Sequence, residues 1–180
     1  RFYGNVGQPA TLRVVPIKMD SKMDMFGIMY AQTDKVSWML MLHHFEKEME
    51  LLAYMGASGI TKRGIFKTKS SGMGDTSLSA LWKLSDRNDH QLYLDLGVSL
   101  PTGNIDQKGT VLTPMGMRNK TTLPYGMQLG SGTYDVLSGV SYTGKSGHSL
   151  DWGAKYQAVM RIGENDENYT LGDKHDVSAW

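Results

Sequence analysis

The sequence predicts an all-β fold, an antiparallel up-and-down transmembrane β-barrel of which about seven strands are present in this chain. Three observations predict it. The segment 77–102 alternates apolar and polar side chains over two runs that a polar turn joins. The connections between predicted strands are alternately short and long, and aromatic residues lie near the strand ends. Because strand side chains point to opposite faces with period two, alternation of this kind indicates strands rather than helices.

The strands and their connections follow from the same pattern. The predicted strands are residues 18–31, 36–45, 77–84, 90–101, 133–143, 150–162 and 173–180. The predicted connections are residues 32–35, 46–71, 85–89, 103–132, 144–147 and 163–172. Within the longest connection on the N-terminal side, residues 46–55 are as compatible with a helix as with an extension of the strand. Single-chain bacterial barrels have even strand numbers, so about seven strands indicate a piece of a larger barrel.

Length and composition restrict the class of protein. The 180 residues suffice for one domain, and we expect a single β-barrel domain over residues 1–180 that is incomplete at both ends. A formal net charge of +1 gives no sign of a nucleic-acid partner, and the absence of cysteine fits an exported protein. No apolar run of about 18 residues predicts a transmembrane helix. No signal peptide is visible and the chain opens at Arg1, so we expect a processed or incomplete chain.

The environment of the apolar face is the main question that the pattern raises. A soluble sandwich or a lipocalin-like barrel would turn this face inward, whereas an outer-membrane barrel would turn it toward lipid. Outer-membrane barrels combine short periplasmic turns, long outer loops and aromatic girdles around an apolar band. The aromatic residues near strand ends on the apolar face are Tyr30, Trp38, Trp82, Tyr134, Tyr142 and Trp152. These features favour lipid on the outside, with strands of about 9–11 residues crossing the bilayer.

Four short segments carry a resemblance to a known family. They are residues 71–75 (SGMGD), 100–106 (LPTGNID), 129–135 (LGSGTYD) and 161–166 (RIGEND). The chain from about residue 18 to its end resembles an outer-membrane β-barrel transporter family of Gram-negative bacteria, of the phenol-degradation MetA type. Residues 23–31 (MDMFGIMYA) are similar to a Met-rich subgroup of it. The resemblance implies the bacterial outer membrane as location, and members that extend further at both ends.

We therefore expect a porin-like transporter or channel for small solutes. The partners would be outer-membrane lipid, lipopolysaccharide and the solute, with a homo-oligomer or larger membrane assembly as a further expectation. The residues expected to line the lumen are Asp95, Asp135, Lys155, Gln157 and Arg161. Both signs of charge occur, so no strong ion preference follows. The alternative is a structural barrel with a plugged lumen, whose outer loops bind a partner.

Methionines form the sharpest feature of the sequence. On the two N-terminal strands, the face opposite the apolar one carries Met25, Met29, Met39, Met41 and His43. Cross-strand neighbours on one face lie about 4.5–5.5 Å apart, and thioethers with imidazole suit Cu(I). The hypothesis is a copper or silver relay, with Cu(I) as the cofactor or cargo. The alternative is an apolar filler, because methionine adapts to irregular gaps.

Other motifs are weaker. The adjacent His43 and His44 point to opposite faces and cannot chelate together without a bulge. The acidic segment 164–168 offers oxygen ligands for calcium but lacks EF-hand spacing, so a solvated loop is favoured. The chain has no Gly-x-Ser-x-Gly, His-Glu-x-x-His or phosphate-binding loop. We therefore expect no enzyme, with an outer-membrane hydrolase as a minor alternative.

Overall fold

The structure, a computed structural model, describes residues 2–3, 13–56, 61–146 and 150–180. Over these residues the fold is all-β and antiparallel, which confirms the predicted class, with one short 3₁₀ turn at Tyr125–Met127. In this part of the chain no helix is long and apolar enough to cross a bilayer. The strands are β1 (Phe2–Tyr3), β2 (Val14–Ala31), β3 (Val36–Tyr54), β4 (Lys62–Met73), β5 (Thr76–Arg87), β6 (His90–Leu100), β7 (Lys108–Leu112), β8 (Arg118–Thr122), β9 (Tyr134–Ser146), β10 (Leu150–Ile162) and β11 (Lys174–Ala179).

The main sheet contains all the strands that alternation predicts. Its order is β1-β2-β3-β5-β6-β9-β10-β11, and β4 pairs with the second half of β3. Strands β7 and β8 pair only with each other, as a hairpin inside the predicted 103–132 loop. The predicted strands correspond to β2, β3, β5, β6, β9, β10 and β11. The order is therefore that of an up-and-down sheet with insertions.

The second strand is longer than its alternating segment. β3 continues to Tyr54, so residues 46–54 extend the strand and the helical alternative is wrong. The first half of β3 pairs with β5 and the second half with β4. The sequence analysis did not predict β4, because its polar residues, such as Lys67 and Lys69, show no clear apolar face.

The central hairpin turns more tightly than the predicted 85–89 loop. Only Asn88 and Asp89 lie between Arg87, the end of β5, and His90, the start of β6. Both have positive φ values, 51° and 65°, as a type I′ turn requires, and both residue types tolerate that conformation. The next predicted turn, 144–147, is strand up to residue 146, and residue 147 lies outside the described residues.

The chain falls into two compact units, each described here by itself. Unit 1 comprises Arg1–Asp24, His44–Gly74 and Asn104–Gly130. Its described residues have a small apolar core made of two clusters. One core cluster is Met49, Leu51, Leu123 and Met127, and the other is Val15, Leu52 and Tyr54. The expected single domain stays a prediction.

Polar contacts hold unit 1 together around this core. The Lys47 ammonium donates to the carbonyl oxygens of Gly126 and Gln128, at 3.0 and 2.5 Å. The Ser70 hydroxyl donates to the Met127 carbonyl at 2.6 Å. Both contacts attach the inserted segment, residues 104–130, to β3 and β4. On the exposed surface, Glu48 pairs with lysines of β4, which are Lys67 and Lys69.

Unit 2 comprises Met25–His43, Asp75–Gly103 and Ser131–Trp180, and its faces have the reverse pattern. Directly opposed residues of antiparallel strands share a face. One face carries Leu78, Val98 and Val136, paired in that order across β5, β6 and β9. The other carries Ser77, Ser99 and Asp135 at the adjacent positions. The registers thus give these strands one continuous apolar face and one continuous polar face.

Exposure shows which face of unit 2 is open. Leu96 and Val98 are 41% and 46% exposed, whereas Asp95 and Ser99 are 7% and 8% exposed. On the next strand Tyr134 is 63% exposed, whereas Asp135 is 2% exposed. Two small side chains of the apolar face are exceptions, as Ala80 and Ala158 are 3% and 5% exposed. On β6 and β9, unit 2 therefore exposes the apolar face and buries the polar face at these positions.

Candidate functional site

The five polar residues expected from the sequence to act together share one face of unit 2. Asp95 pairs with Gly139, and Gly139 pairs with Gln157 on β10. Asp135 and Arg161 oppose each other in the same pair of strands, as do Ser141 and Lys155. Because each register step keeps the face, all five side chains project to the polar face. That this face lines a lumen stays a prediction.

Asp135 is the most deeply buried polar group of this face. Its carboxylate accepts a hydrogen bond from the Thr133 hydroxyl at 2.7 Å. The guanidinium of Arg161 forms an ion pair with it. The carboxylate thus exchanges the water it would bind for one charge and one hydroxyl, which is how a buried charge is stabilised.

A second carboxylate organises the loops next to this pair. Asp75 accepts hydrogen bonds from the backbone N–H and the hydroxyl of Ser131, at 2.7 and 2.8 Å. Its other oxygen accepts the N–H of Gly103 at 2.9 Å. Three separated chain segments therefore meet at one side chain. Sequence reasoning missed Asp75 and Ser131 as site residues, although they lie in the segments 71–75 and 129–135 that it singled out.

Asn165 attaches the 163–172 loop to the same cluster. Its side-chain amide donates to the carbonyl of Ser131 at 3.0 Å, and its oxygen accepts the N–H groups of Glu167 and Tyr169. The residue is 5% exposed. Its contacts are those of a turn-stabilising side chain, and its oxygen is used for backbone N–H groups. Only its exposed neighbours fit the predicted solvated loop.

Asp95 differs from the other carboxylates of the polar face. It is 7% exposed, and its Oδ1 atom makes no hydrogen bond within the part of the chain that the structure describes. Its strand partners are Leu81 on one side and Gly139 on the other. Neither partner has a side-chain donor, which explains the unpaired oxygen.

The methionine residues lie on this same polar face. Met39 and Met41 oppose Ser79 and Ser77 of β5, whose side chains belong to it. Met41 also reaches the neighbouring strand, because a Cβ atom at Gly27 would lie 2.8 Å from the Met41 Sδ atom.

The turn that joins the two Met-rich strands fixes their register. The N–H of Gln32 donates to the carbonyl of Val36 at 3.0 Å. An antiparallel hairpin keeps this offset, which places Gly27 opposite Met41 in agreement with their close approach. In the same register Met29 lies opposite Met39, and Met25 lies opposite His43.

Within the described residues, no cluster of three or more His, Cys, Asp or Glu side chains is arranged to hold a metal ion. Two open surface cavities, of about 560 and 470 Å³, are lined mainly by charged and polar residues of unit 1 and unit 2 respectively. Neither includes a predicted lumen residue or a residue of the methionine group.

Comparison with known proteins adds no assignment. No protein-family model matches the chain, and no curated protein matches it at a significant level.

Proposed function

We propose that unit 2 is part of the wall of an outer-membrane β-barrel that passes or binds small solutes, with its apolar face toward lipid. The observation that carries the proposal is the reversed burial of the sheet. Leu96 and Tyr156 are more than 40% exposed while Asp95 and Asp135 are buried. A sheet in water gains stability by covering apolar side chains, whereas a sheet in lipid gains nothing by it and must cover polar ones.

The aromatic residues and the strand lengths support the same proposal. Trp38 and Trp152 are 41% and 39% exposed near the starts of β3 and β10 on the apolar face, and Trp82, in the middle of β5 on the same face, is 36% exposed. Such rings suit the interface between lipid and water. β5, β6, β9 and β10 have 12, 11, 13 and 13 residues, enough for the roughly 9–11 that cross a bilayer.

Lipid contact also requires that the sheet be closed. An open sheet edge would leave backbone N–H and C=O groups unpaired in hydrocarbon, at a cost of several kcal/mol each. We therefore propose that further strands complete the barrel, from a longer chain or from a homo-oligomer or larger membrane assembly. Outer-membrane lipid and lipopolysaccharide would contact the apolar face. The resemblance of residues 129–135 and 161–166 to the transporter family supports this location.

Small solutes would meet the polar face. Asp95, Asp135, Lys155, Gln157 and Arg161 present both signs of charge, and we propose that they set selectivity. The alternative, a structural barrel with a filled interior whose outer loops bind a partner, is favoured by one observation. Asp95 and Asp135 are buried, so side chains take up part of the space beside the polar face.

Planar-bilayer recording tests the proposal and separates these two functions. The protein is extracted from membranes with detergent and reconstituted, and current is measured in a salt gradient. Stepwise conductance, with a reversal potential that changes in Lys155→Gln and not in Lys35→Gln, is the expected result. Lys35 is exposed in the turn between β2 and β3, outside the strands that carry the polar face, so it serves as the matched control. A protein that inserts without conducting would indicate the filled barrel, and one that remains soluble without detergent would contradict both.

A further inference from the structure

A thioether lies across a glycine where the two Met-rich strands meet. The Sδ and Cε atoms of Met41 would be 2.8 and 3.8 Å from a Cβ atom at Gly27. Real Cβ atoms do not approach sulfur this closely, so only glycine leaves room for this side chain in this position. Met41 is therefore directed onto the neighbouring strand.

The residues on each side of this contact carry further soft donors. Met25 and Met29 lie two positions before and after Gly27, on the same face of β2. Met39 and His43 lie two positions before and after Met41 on β3. Successive same-face residues are about 7 Å apart along a strand and opposed Cβ atoms about 4.5–5.5 Å apart. Flexible methionine side chains can therefore bring their sulfur atoms together around Met41.

The imidazole of His43 has a defined orientation. Its Nδ1 atom lies 2.9 Å from the carbonyl oxygen of Asp75. A carbonyl can only accept a hydrogen bond, so the Nδ1–H group of His43 donates it. Metal-binding histidines are commonly oriented by such a bond from the other ring nitrogen.

The exposure of two of these methionines argues against a role as apolar filler. Met25 and Met29 are 57% and 60% exposed, although the register places them on the face that elsewhere holds buried polar groups. A side chain that fills a gap should be covered by the atoms around the gap. Met25 and Met29 instead present their thioethers to whatever occupies the space beside this face.

We propose that Met25, Met29, Met39, Met41 and His43 form a binding site for Cu(I), with Met41 at its centre and Gly27 as the position that admits it. Thioethers are soft ligands that select Cu(I) over hard cations, and imidazole also suits copper. Silver(I), with the same preference, would bind in its place. The binding of Cu(I) at this site does not depend on the proposed function. Only the further claim that Cu(I) is the transported solute rests on it.

Equilibrium binding tests the site directly. The detergent-purified protein competes anaerobically for Cu(I) with a coloured Cu(I) chelator, and Ag(I) is titrated separately as a probe without redox chemistry. We expect one high-affinity site per chain, with its affinity lowered about tenfold or more in Met25→Leu/Met41→Leu. Gly27→Ala should weaken binding to a similar extent, because the added Cβ atom would displace the Met41 sulfur atom. The sheet can stay intact, since only the flexible end of the Met41 side chain must move.

Two methionines outside the site provide matched controls. Met160 lies on the apolar face and Met115 in the inserted segment, and both are exposed. Met160→Leu and Met115→Leu should keep the wild-type affinity. X-ray absorption of the loaded protein should show mainly sulfur neighbours, with the nitrogen contribution lost in His43→Phe.

The outcomes separate the site from the proposed function. Wild-type protein without Cu(I) affinity, or equal affinity in Met25→Leu/Met41→Leu, would overturn the site even if the barrel conducts. Specific binding by a barrel that carries no current would keep the site and remove transport.

Discussion

Arg161 and Asp135 stand directly opposite each other on β10 and β9, with the guanidinium Nη1 donating to the carboxylate Oδ2. The Asp135 side chain is 1% exposed and that of Arg161 is 17% exposed. The pair connects two strands on the polar face, next to the loops that Asp75 and Asn165 hold. Among the ion pairs of the described residues it is the most deeply buried, so we expect it to affect stability the most.

Removing one member of this pair should destabilise the protein strongly. Asp135→Asn leaves the Arg161 charge buried without its partner, which typically costs about 3–5 kcal/mol. Asp176→Asn removes an exposed pair with Lys174 and should cost less than about 1 kcal/mol. Urea unfolding in detergent micelles measures both, and equal losses would show that the Asp135 pair is solvated.

The close packing of β5 against β6 predicts a penalty at Gly97. A Cβ atom there would lie 2.6 Å from the carbonyl oxygen of Leu78 and 2.8 Å from the Cα atom of Ser79. Backbone atoms cannot move aside as a flexible side chain can, so Gly97→Ala should cost about 1–3 kcal/mol. Gly172→Ala, where nothing lies within 4 Å, is the control and should change the unfolding free energy by less than about 0.5 kcal/mol. A neutral Gly97→Ala would contradict the register of β5 and β6.

The charge ladder of unit 1 predicts weakening in acid. Hydrogen bonds from Lys67 and Lys69 lower the pKa of Glu48 from 4.5 to about 2. A lowered carboxyl pKa means that the unfolded chain binds more protons than the folded chain between these two pKa values. The contribution of Glu48 to stability is therefore complete above pH 4.5 and is lost as pH falls toward 2. Hydrogen exchange of the β3–β4 amides should accelerate over this range.

Glu48→Gln provides the comparison for that experiment. The variant should exchange faster near pH 5 and depend less on pH below it, whereas Glu164→Gln, in the exposed loop, should follow the wild type. An unchanged pH profile in Glu48→Gln would assign the effect to other carboxyl groups.

The half-buried ammonium of Lys47 predicts a local rather than a global effect. Burial lowers the pKa of Lys47, and its bonds to the Gly126 and Gln128 carbonyls compensate for lost hydration. Lys47→Met keeps much of the apolar stem but leaves both carbonyls without this donor, so amides near residues 125–128 should exchange about tenfold faster or more. Lys62→Met, at an exposed position, should leave their exchange unchanged. Equal protection in both variants would show that the Lys47 contacts do not hold the segment.

The sequence predicts the sheet of unit 2 well because its physical signal is local. Alternation alone places Leu94, Leu96 and Val98 on one face of the strand and Asp95 and Gly97 on the other. Each residue pairs with a residue of the same face on the next strand, so the two faces stay separate across the sheet. The same rule places Asp135 and Arg161 on one face without any knowledge of their contact.

The parts that sequence reasoning missed depend on distant partners. β4 has too many lysines and serines to alternate, and it is stabilised by pairing with the extension of β3. Asp75 and Ser131 are 56 positions apart, and no local pattern distinguishes their hydrogen bonds from those of ordinary loop residues. The contact of Met41 with Gly27 similarly needs the register, which the turn fixes and the composition does not.

Spin labels on single cysteines test most directly which face of unit 2 meets lipid, since the chain has no cysteine of its own. Leu96→Cys labels the apolar face and Lys155→Cys the polar face, in protein reconstituted into lipid vesicles. The account predicts that oxygen, which concentrates in hydrocarbon, relaxes the label at 96, while a water-soluble nickel complex relaxes the label at 155. Relaxation of the label at 96 by the nickel complex, with the label at 155 reached only by oxygen, would contradict it.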